Sequence, residues 1–237
     1  MIEAGIDGAL LRDGSSPGVY YTAQTDPDWA DYPFFNAAYK PEAADTIRDR
    51  ACGVMSMTMV GSTYLHRELD PTMLVDYVLE NGWRIAASGV DDTFMQEAAR
   101  LLGLPQPDIF CQAPAEGQQP IDWEQVRQVV ENGGMAIAHE TRGNFTPAQH
   151  YVVLTDYIEK DGTGYFLVTD PYQSRRRYYQ WDTDMADPGL GDEGIVLATP
   201  ELVAQTCSAV TLFEENQDHW ELVSRSAAPF ELLPGER

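Results

Sequence analysis

Lysine is nearly absent, with two in 237 residues, and all Lys and Arg together number 15 against 38 Asp and Glu, a formal charge of -23. No long basic block exists to gather phosphates, so nucleic acid is excluded as an expected partner, and the same sign opposes adhesion to anionic lipid. Long apolar runs are missing as well: no window approaches the roughly 20 apolar residues of a membrane helix, so no membrane partner is expected. The first residues, MIEAGIDGALLRDGSSPGVY, lack the basic start and apolar stretch of a secretory signal, which places the chain as written in the cytoplasm. Cysteine is scarce. Cys52, Cys111 and Cys207 are an odd number, too widely spaced for a disulfide framework or a paired metal knuckle, and are read as free thiols. The scattered histidines and cysteines call for no metal, and nothing in the chain calls for a cofactor. No repeat recurs at a period of about 20 to 50 residues, which excludes solenoids.

Periodicity organises what is present. Residues 52–66, CGVMSMTMVGSTYLH, are apolar on several faces, as in a helix buried on most sides, and it opens at the cysteine. Asp70-Pro71 is an N-cap and first-turn pair for a second helix that carries Leu74 and Val78 on one face and stops at Asn81-Gly82. Phe94, Ala98, Leu101 and Leu102 define a third, capped within Asp91 to Thr93 and terminated by Gly103. From Gly103 to Pro120 four prolines and four glutamines occur without periodicity, and the stretch reads as a connection between lobes. A last helix starts at Asp122, with Trp123, Val126 and Val130 as its apolar stripe, and ends at Asn132-Gly133-Gly134. Strand-like runs follow: MAIAH, HYVVLTDYI, YFLVTD, IVLA and AVTLF. Helices followed by consecutive strands indicate an α+β fold with an antiparallel sheet. The expected layout is an N-terminal segment 1–19, a domain 20–216 with a helical part 52–104 and a sheet part 133–214, and a tail 217–237.

Three motifs match in letters and fail in physics. Gly14-Ser15-Ser16-Pro17-Gly18 spells GxSxG, but the residue after the nucleophile must lend a backbone N–H to an oxyanion, and Pro17 has none. Gly189 to Gly194 spells GxGxxG, yet a strand-like IVLA follows where pyrophosphate needs a helix N-terminus, and Asp192 and Glu193 repel phosphate. The acidic run from Asp182 to Glu193 has Ala186 where a calcium loop needs a third oxygen ligand.

One constellation survives. Cys52 opens the buried helix, where free N–H groups and the helix dipole favour a thiolate. His150 opens the longest strand and Asp170 closes the next, just before Pro171, so in an antiparallel hairpin both lie at the same open end. Asp170 would orient the imidazole, whose other nitrogen exchanges a proton with Cys52. Parity constrains this arrangement. A two-residue turn at Asp161-Gly162 with an unbroken ladder would point Asp170 to the other face, so a five-residue loop from Lys160 to Gly164, or a bulge, is expected, with a bend beyond the strand ends.

These residues carry a resemblance. Gln24-Thr25-Asp26-Pro27-Asp28-Trp29-Ala30, Cys52-Gly53, Gln149-His150-Tyr151-Val152-Val153 and Asp170-Pro171 stand in the order found in the double-glycine (bacteriocin-processing) peptidase-like branch of the papain-like cysteine peptidases. The similarity runs from about Tyr20 to Glu214. Val54 stands where a proline is usual, Gln149 where a glycine is usual, and Gln24 lies far upstream of the cysteine rather than a few residues before it. The resemblance implies a papain-like fold, with Cys52 as nucleophile, His150 as general base and acid, Asp170 as orienter and Gln24 as an oxyanion-hole donor beside the Cys52 N–H. It implies hydrolysis of a peptide or small amide substrate through a thioester. The alternatives are an acyltransferase using the same site and a binding module that keeps the fold without the chemistry. Arg175, Arg176 and Arg177, the one basic cluster, lie a few residues past Asp170 and are read first as partners of surrounding carboxylates, second as a dock for an acidic substrate. His139 and Asn144 receive no role, and the sequence leaves the oligomeric state open.

Overall fold

The computed structural model describes residues 3–4, 9–11, 19–35, 45–85, 89–172, 185–186 and 194–214. The GxSxG letters at 14–18, the arginine cluster at 175–177, the tail 217–237 and most of the acidic run 182–193 lie outside the described residues. Strands β1 (Glu3–Ala4), β2 (Ala9–Leu11) and β3 (Val19–Tyr20) form a small antiparallel sheet in that order. Helix α1 (Ile47–Arg50) starts at a capping box, in which the Thr46 N–H donates to Asp49 at 2.9 Å. Helix α2 (Cys52–Tyr64) follows after a single residue, and all thirteen of its residues are buried. Its lack of any charged side chain explains why: no face of it has reason to meet water.

Helix α3 (Pro71–Glu80) is fixed at its start by Asp70, which accepts from the Thr72 N–H at 2.9 Å, and Gly82 behind it takes φ +75°. In helix α4 (Thr93–Leu102) the capping oxygen belongs to Asp91, which accepts from the N–H groups of Thr93 and Phe94, and Gly103 closes the helix at φ +68°. Then come β4 (Asp108–Cys111) and β5 (Gln119–Pro120), helix α5 (Trp123–Glu131) capped by Asp122, and β6 (Met135–Glu140), β7 (His150–Lys160), β8 (Thr163–Thr169), β9 (Met185–Ala186) and β10 (Ile195–Ala198). Helix α6 (Pro200–Thr206) and β11 (Cys207–Phe213) complete the described chain.

The large sheet has eight strands in the order β5-β4-β11-β6-β7-β8-β10-β9, antiparallel except for the β4/β5 pair. Helices and a mixed, mainly antiparallel sheet agree with an α+β fold. Both faces of the sheet are covered. Helices α2, α3 and α4 share one core with Ile137, Val153, Leu167 and Leu197, whereas α5 and α6 share the other with Ala138, Val152, Val168 and Val196. Covering both faces accounts for the unbroken apolar runs of β7 and β8, which do not alternate with polar residues. Among the described residues no helix is long and apolar enough to cross a membrane.

Two expectations change. The stretch after Gly103 is more than a connection: β4 pairs with β11, Phe110 opposite Val210, and β5 extends the sheet beyond it. A four-residue strand with one buried side chain is too short for a period-two pattern to register. Helix α6 was also unexpected, although Thr199 accepts from the Leu202 N–H and Pro200 occupies the first turn, a start signal present in the letters.

The β7/β8 hairpin resolves the parity question by its second route. Asp161 and Gly162 form a two-residue turn at φ +53° and +79°, the geometry that suits the twist of paired strands, so the five-residue loop does not form. A register shift between Leu154 and Asp156 leaves Thr155 unpaired in the ladder, its hydroxyl donating to the Leu167 carbonyl at 3.2 Å. That single extra residue brings Asp170 to the same side as His150.

Past the end of β8 the chain is tied down by main-chain bonds: the Asp170 N–H donates to the Gly194 carbonyl at 2.7 Å, and the Tyr21 hydroxyl donates to the Asp170 carbonyl at 2.8 Å. Gly194 is needed there, because a Cβ would stand 2.6 Å from the Asp170 carbonyl oxygen and closer still to the Tyr21 hydroxyl. Gly194→Ala is therefore expected to lower stability by about 1–3 kcal/mol through overpacking against backbone that has nowhere to move, read as a lower urea midpoint with an unchanged slope.

Candidate active site

Cys52 occupies the first turn of α2, is buried at 8% exposure and belongs to the core that the helices share with the sheet. No side chain caps this helix start and no acidic residue lies in its first turn, which leaves the positive end of the dipole unneutralised beside the thiol. Gly53 permits the approach of β7: a Cβ there would meet Val90 Cγ2 at 2.6 Å and Tyr151 Cδ2 at 3.1 Å.

The structure brings Cys52, His150 and Asp170 together. His150 and Asp170 are 4% and 0% exposed, and His150 Nε2 lies 2.6 Å from Asp170 Oδ1. With Nε2 taken by the carboxylate, Nδ1 is the ring nitrogen left for Cys52, whose thiol feels the His150 charge. Asp170 Oδ1 also accepts from the Tyr172 N–H at 2.7 Å, which fixes the carboxylate in the plane it offers the imidazole. Burial opposes charge on both partners of the Cys52–His150 pair. The hydrogen bond and charge of His150 outweigh it for the thiol, which falls below its ordinary value. The charge and hydrogen bond of Asp170 outweigh it for the imidazole, which holds its proton above the ordinary histidine range. The two shifts run in opposite directions and favour a thiolate beside an imidazolium.

Gln24 is buried and bridges two parts of the site's surroundings. Its main-chain N–H donates to the Pro171 carbonyl at 2.6 Å, next to Asp170, and its Nε2 donates to the Arg48 carbonyl at 2.6 Å, in the turn leading to Cys52. Its Oε1 is buried without a partner among the described residues. Trp29 follows the same pattern, its indole N–H donating to the Ala23 carbonyl at 2.7 Å. Gln24 thus ties its segment to the residues flanking Asp170 and Cys52 and keeps a second amide hydrogen beyond the one given to Arg48.

Two features escaped the sequence. The first is a cluster in which His139 Nδ1 lies 3.1 Å from Asp92, the Tyr151 hydroxyl donates to Asp92 at 2.9 Å, and the His139 and Tyr151 rings stack with centroids 4.3 Å apart. It borders an open groove of about 480 Å³ whose walls include Cys111, Gln205 and Ser208. The second is Glu140, fully buried at the end of β6, where Oε2 accepts from the Thr206 hydroxyl at 2.5 Å and Oε1 has no partner among the described residues. Its one sequence signal is an acid immediately after the apolar run MAIAH, a position that reads as the start of a solvated loop.

All three cysteines are free thiols. Burial and the Glu140 charge push the Cys207 thiol far up, and burial and the Asp92 charge push up Cys111. Of the three, only Cys52 is shifted toward the thiolate.

Burial pushes the Glu140 carboxyl up to about 7 from an ordinary 4.5, against the opposing pull of the Thr206 hydroxyl and the His150 charge. The folded chain then binds this proton more tightly than the unfolded chain does, so its contribution is fully present below pH 4.5 and is lost as pH climbs to about 7. The cost over that window is on the order of 3 kcal/mol. Glu140→Gln is expected to remove this component, so that the variant gains on the wild type between pH 5 and 8 in urea unfolding curves. Parallel curves for the two proteins across that range would contradict it. The chain matches no known protein-family model and no curated protein.

Proposed function

We propose that the chain is a cysteine-dependent hydrolase that cleaves a peptide or related amide bond through a thioester on Cys52. The observation that carries this reading is a buried His150 held 2.6 Å from the fully buried Asp170, with its charge acting on Cys52 at an uncapped helix start. The order of elements also supports it, with a buried helix opening at the cysteine and packed on a sheet whose long strand opens at the histidine. That order is the one expected of the papain-like fold, and of the double-glycine peptidase-like branch that the Gln24, Cys52, His150 and Asp170 segments resemble.

The chemistry follows from the charges. The Cys52 thiolate attacks the carbonyl carbon, and the oxygen takes up negative charge facing the Cys52 N–H and the second amide hydrogen of Gln24. His150 passes its Nδ1 proton to the departing amine as the C–N bond breaks, leaving a thioester and a neutral imidazole. That imidazole takes a proton from water as the water attacks the thioester. The acid leaves, the Cys52 sulfur departs as thiolate, and the imidazolium is restored. Asp170 supports each imidazolium without itself taking the proton.

Iodoacetamide labelling against pH, read by mass spectrometry for each cysteine, tests this directly. At pH 6.5, where a free thiol of pKa about 8.5 is only about 1% ionised, Cys52 is expected to react tenfold or more faster than Cys111 and Cys207. His150→Ala is expected to bring Cys52 down to their rate, and Asp170→Asn to lower the pH at which the imidazole loses its proton. A Cys52 no faster than the other two overturns the hydrolase reading and leaves a scaffold for binding.

A further inference from the structure

Glu140 is a buried acid that the proposed reaction leaves without a task. It is 0% exposed, and among the described residues its carboxyl has no Arg or Lys partner and accepts one hydrogen bond, from Thr206. Register decides what it can touch. Glu140 stands directly opposite His150 in the β6/β7 ladder and opposite Cys207 in the β6/β11 ladder. Directly opposed residues of an antiparallel pair project from the same face, with Cβ atoms about 4.5–5.5 Å apart. Three ionisable side chains therefore form a row across three neighbouring strands, with the carboxyl between the histidine and a cysteine. The groups facing Glu140 are His150 from β7, Cys207 from β11 and the neutral Thr206 hydroxyl from the end of α6, while Asp170 reaches His150 from the adjacent strand β8.

We propose that Glu140 is a positioning residue for the Cys52–His150 pair, a second carboxyl beside the imidazole that strengthens its hold on the proton when ionised and relaxes that hold when protonated. This rests on the Cys52, His150 and Asp170 chemistry proposed above. Glu140 touches no reacting atom and acts through His150. The coupling is reciprocal: the His150 charge favours the Glu140 carboxylate, so the carboxylate must favour the His150 proton by the same free energy. Because burial brings Glu140 to titrate at about 7, the strengthening switches within the neutral range, below the imidazole transition. A purely structural role as acceptor for Thr206 makes a different demand, since Gln accepts the same hydroxyl bond without a charge.

The decisive experiment follows the His150 imidazole by NMR from pH 5 to 10, with its signals assigned by loss in His150→Ala, in the wild type and in E140Q. The wild type is expected to show, besides the main transition, a small inflection near pH 7 as Glu140 ionises. In E140Q that inflection disappears and the main transition moves down by about 0.5–1 pH unit. Thr206→Val, which keeps the carboxyl and removes the bond that favours its ionised form, is expected to move the inflection to higher pH; it also serves if E140Q does not fold. Identical His150 titrations in all three proteins overturn the proposal. Labelling of Cys52 in the same samples separates the two readings: an inert Cys52 with a shifted His150 titration sinks the hydrolase and keeps the Glu140–His150 coupling, and an activated Cys52 with an unshifted titration does the reverse.

Discussion

The hydrogen bond between His150 and Asp170 is the constraint around which the rest of the site is built. Both groups lie out of water, and a buried charge pair survives only where the remaining lone pairs and protons are also satisfied. The chain meets part of that demand at the carboxylate itself and fixes the main chain around it. The Tyr172 N–H binds the same carboxylate oxygen, the Gly194 carbonyl and the Tyr21 hydroxyl bind the Asp170 main chain, and the Gln24 N–H binds the next carbonyl along. Breaking one side of such a pair costs about 3–5 kcal/mol, more than any one of the anchoring bonds contributes. Distant parts of the chain thus converge on the Asp170–Pro171 main chain, and the N-terminal segment is held by the same knot that orients the imidazole.

The sheet makes this knot possible through one irregularity. A regular β7/β8 ladder closed by the two-residue turn would send Asp170 to the opposite face from His150, and the bulge at Thr155 corrects the phase. Thr155 is fully buried, and its hydroxyl is satisfied by the carbonyl of Leu167, so the side chain of the extra residue is not orphaned in the core. On the other side of the pair, Gly53 lets Tyr151 lie against the first turn of α2. Tyr151 then does two things: its ring abuts the helix that carries Cys52, and its hydroxyl binds Asp92 at the start of α4. The helical layer and the sheet are therefore registered at the point where sulfur meets imidazole.

Much of this was legible from residue patterns, and the limits have physical causes. Asp70-Pro71, Gly103 and Asp122 each announce a helix end because the capping chemistry is local, and the structure places helix ends at all three. Cys52, His150 and Asp170 were legible because each sits at the end of a well-marked element, and an antiparallel hairpin brings such ends together. The bulge was legible only as a requirement of parity, with its location hidden, since nothing in HYVVLTDYI singles out Thr155. Strand β4 was lost because a short strand carries one buried residue, and α6 because its start signal is followed by only two turns. Glu140 was invisible for a deeper reason. A carboxylate is read as exposed unless partnered, and its partners, His150 and Thr206, come into reach only through long-range pairing.

The three cysteines show which physical effect favours a thiolate at Cys52. Burial raises the thiol pKa in every case, because the thiolate is the charged form, so depth in the fold cannot activate any of them. Cys207 is as buried as Cys52 and has Glu140 for a neighbour, a charge of the wrong sign, and Cys111 has Asp92. Among the described residues, Cys52 is the cysteine whose thiol is lowered by a neighbouring imidazole, and it sits at an uncapped helix start. In a chain of net charge -23 a local positive environment is the scarce resource, and at Cys52 it comes from a histidine made basic by a buried carboxylate and from the start of a helix that has no side-chain cap and no charged residue of its own. The carboxylates that dominate the composition are thus turned to the opposite purpose at this one place: Asp170 does not repel the thiolate so much as it secures the imidazolium that sustains it.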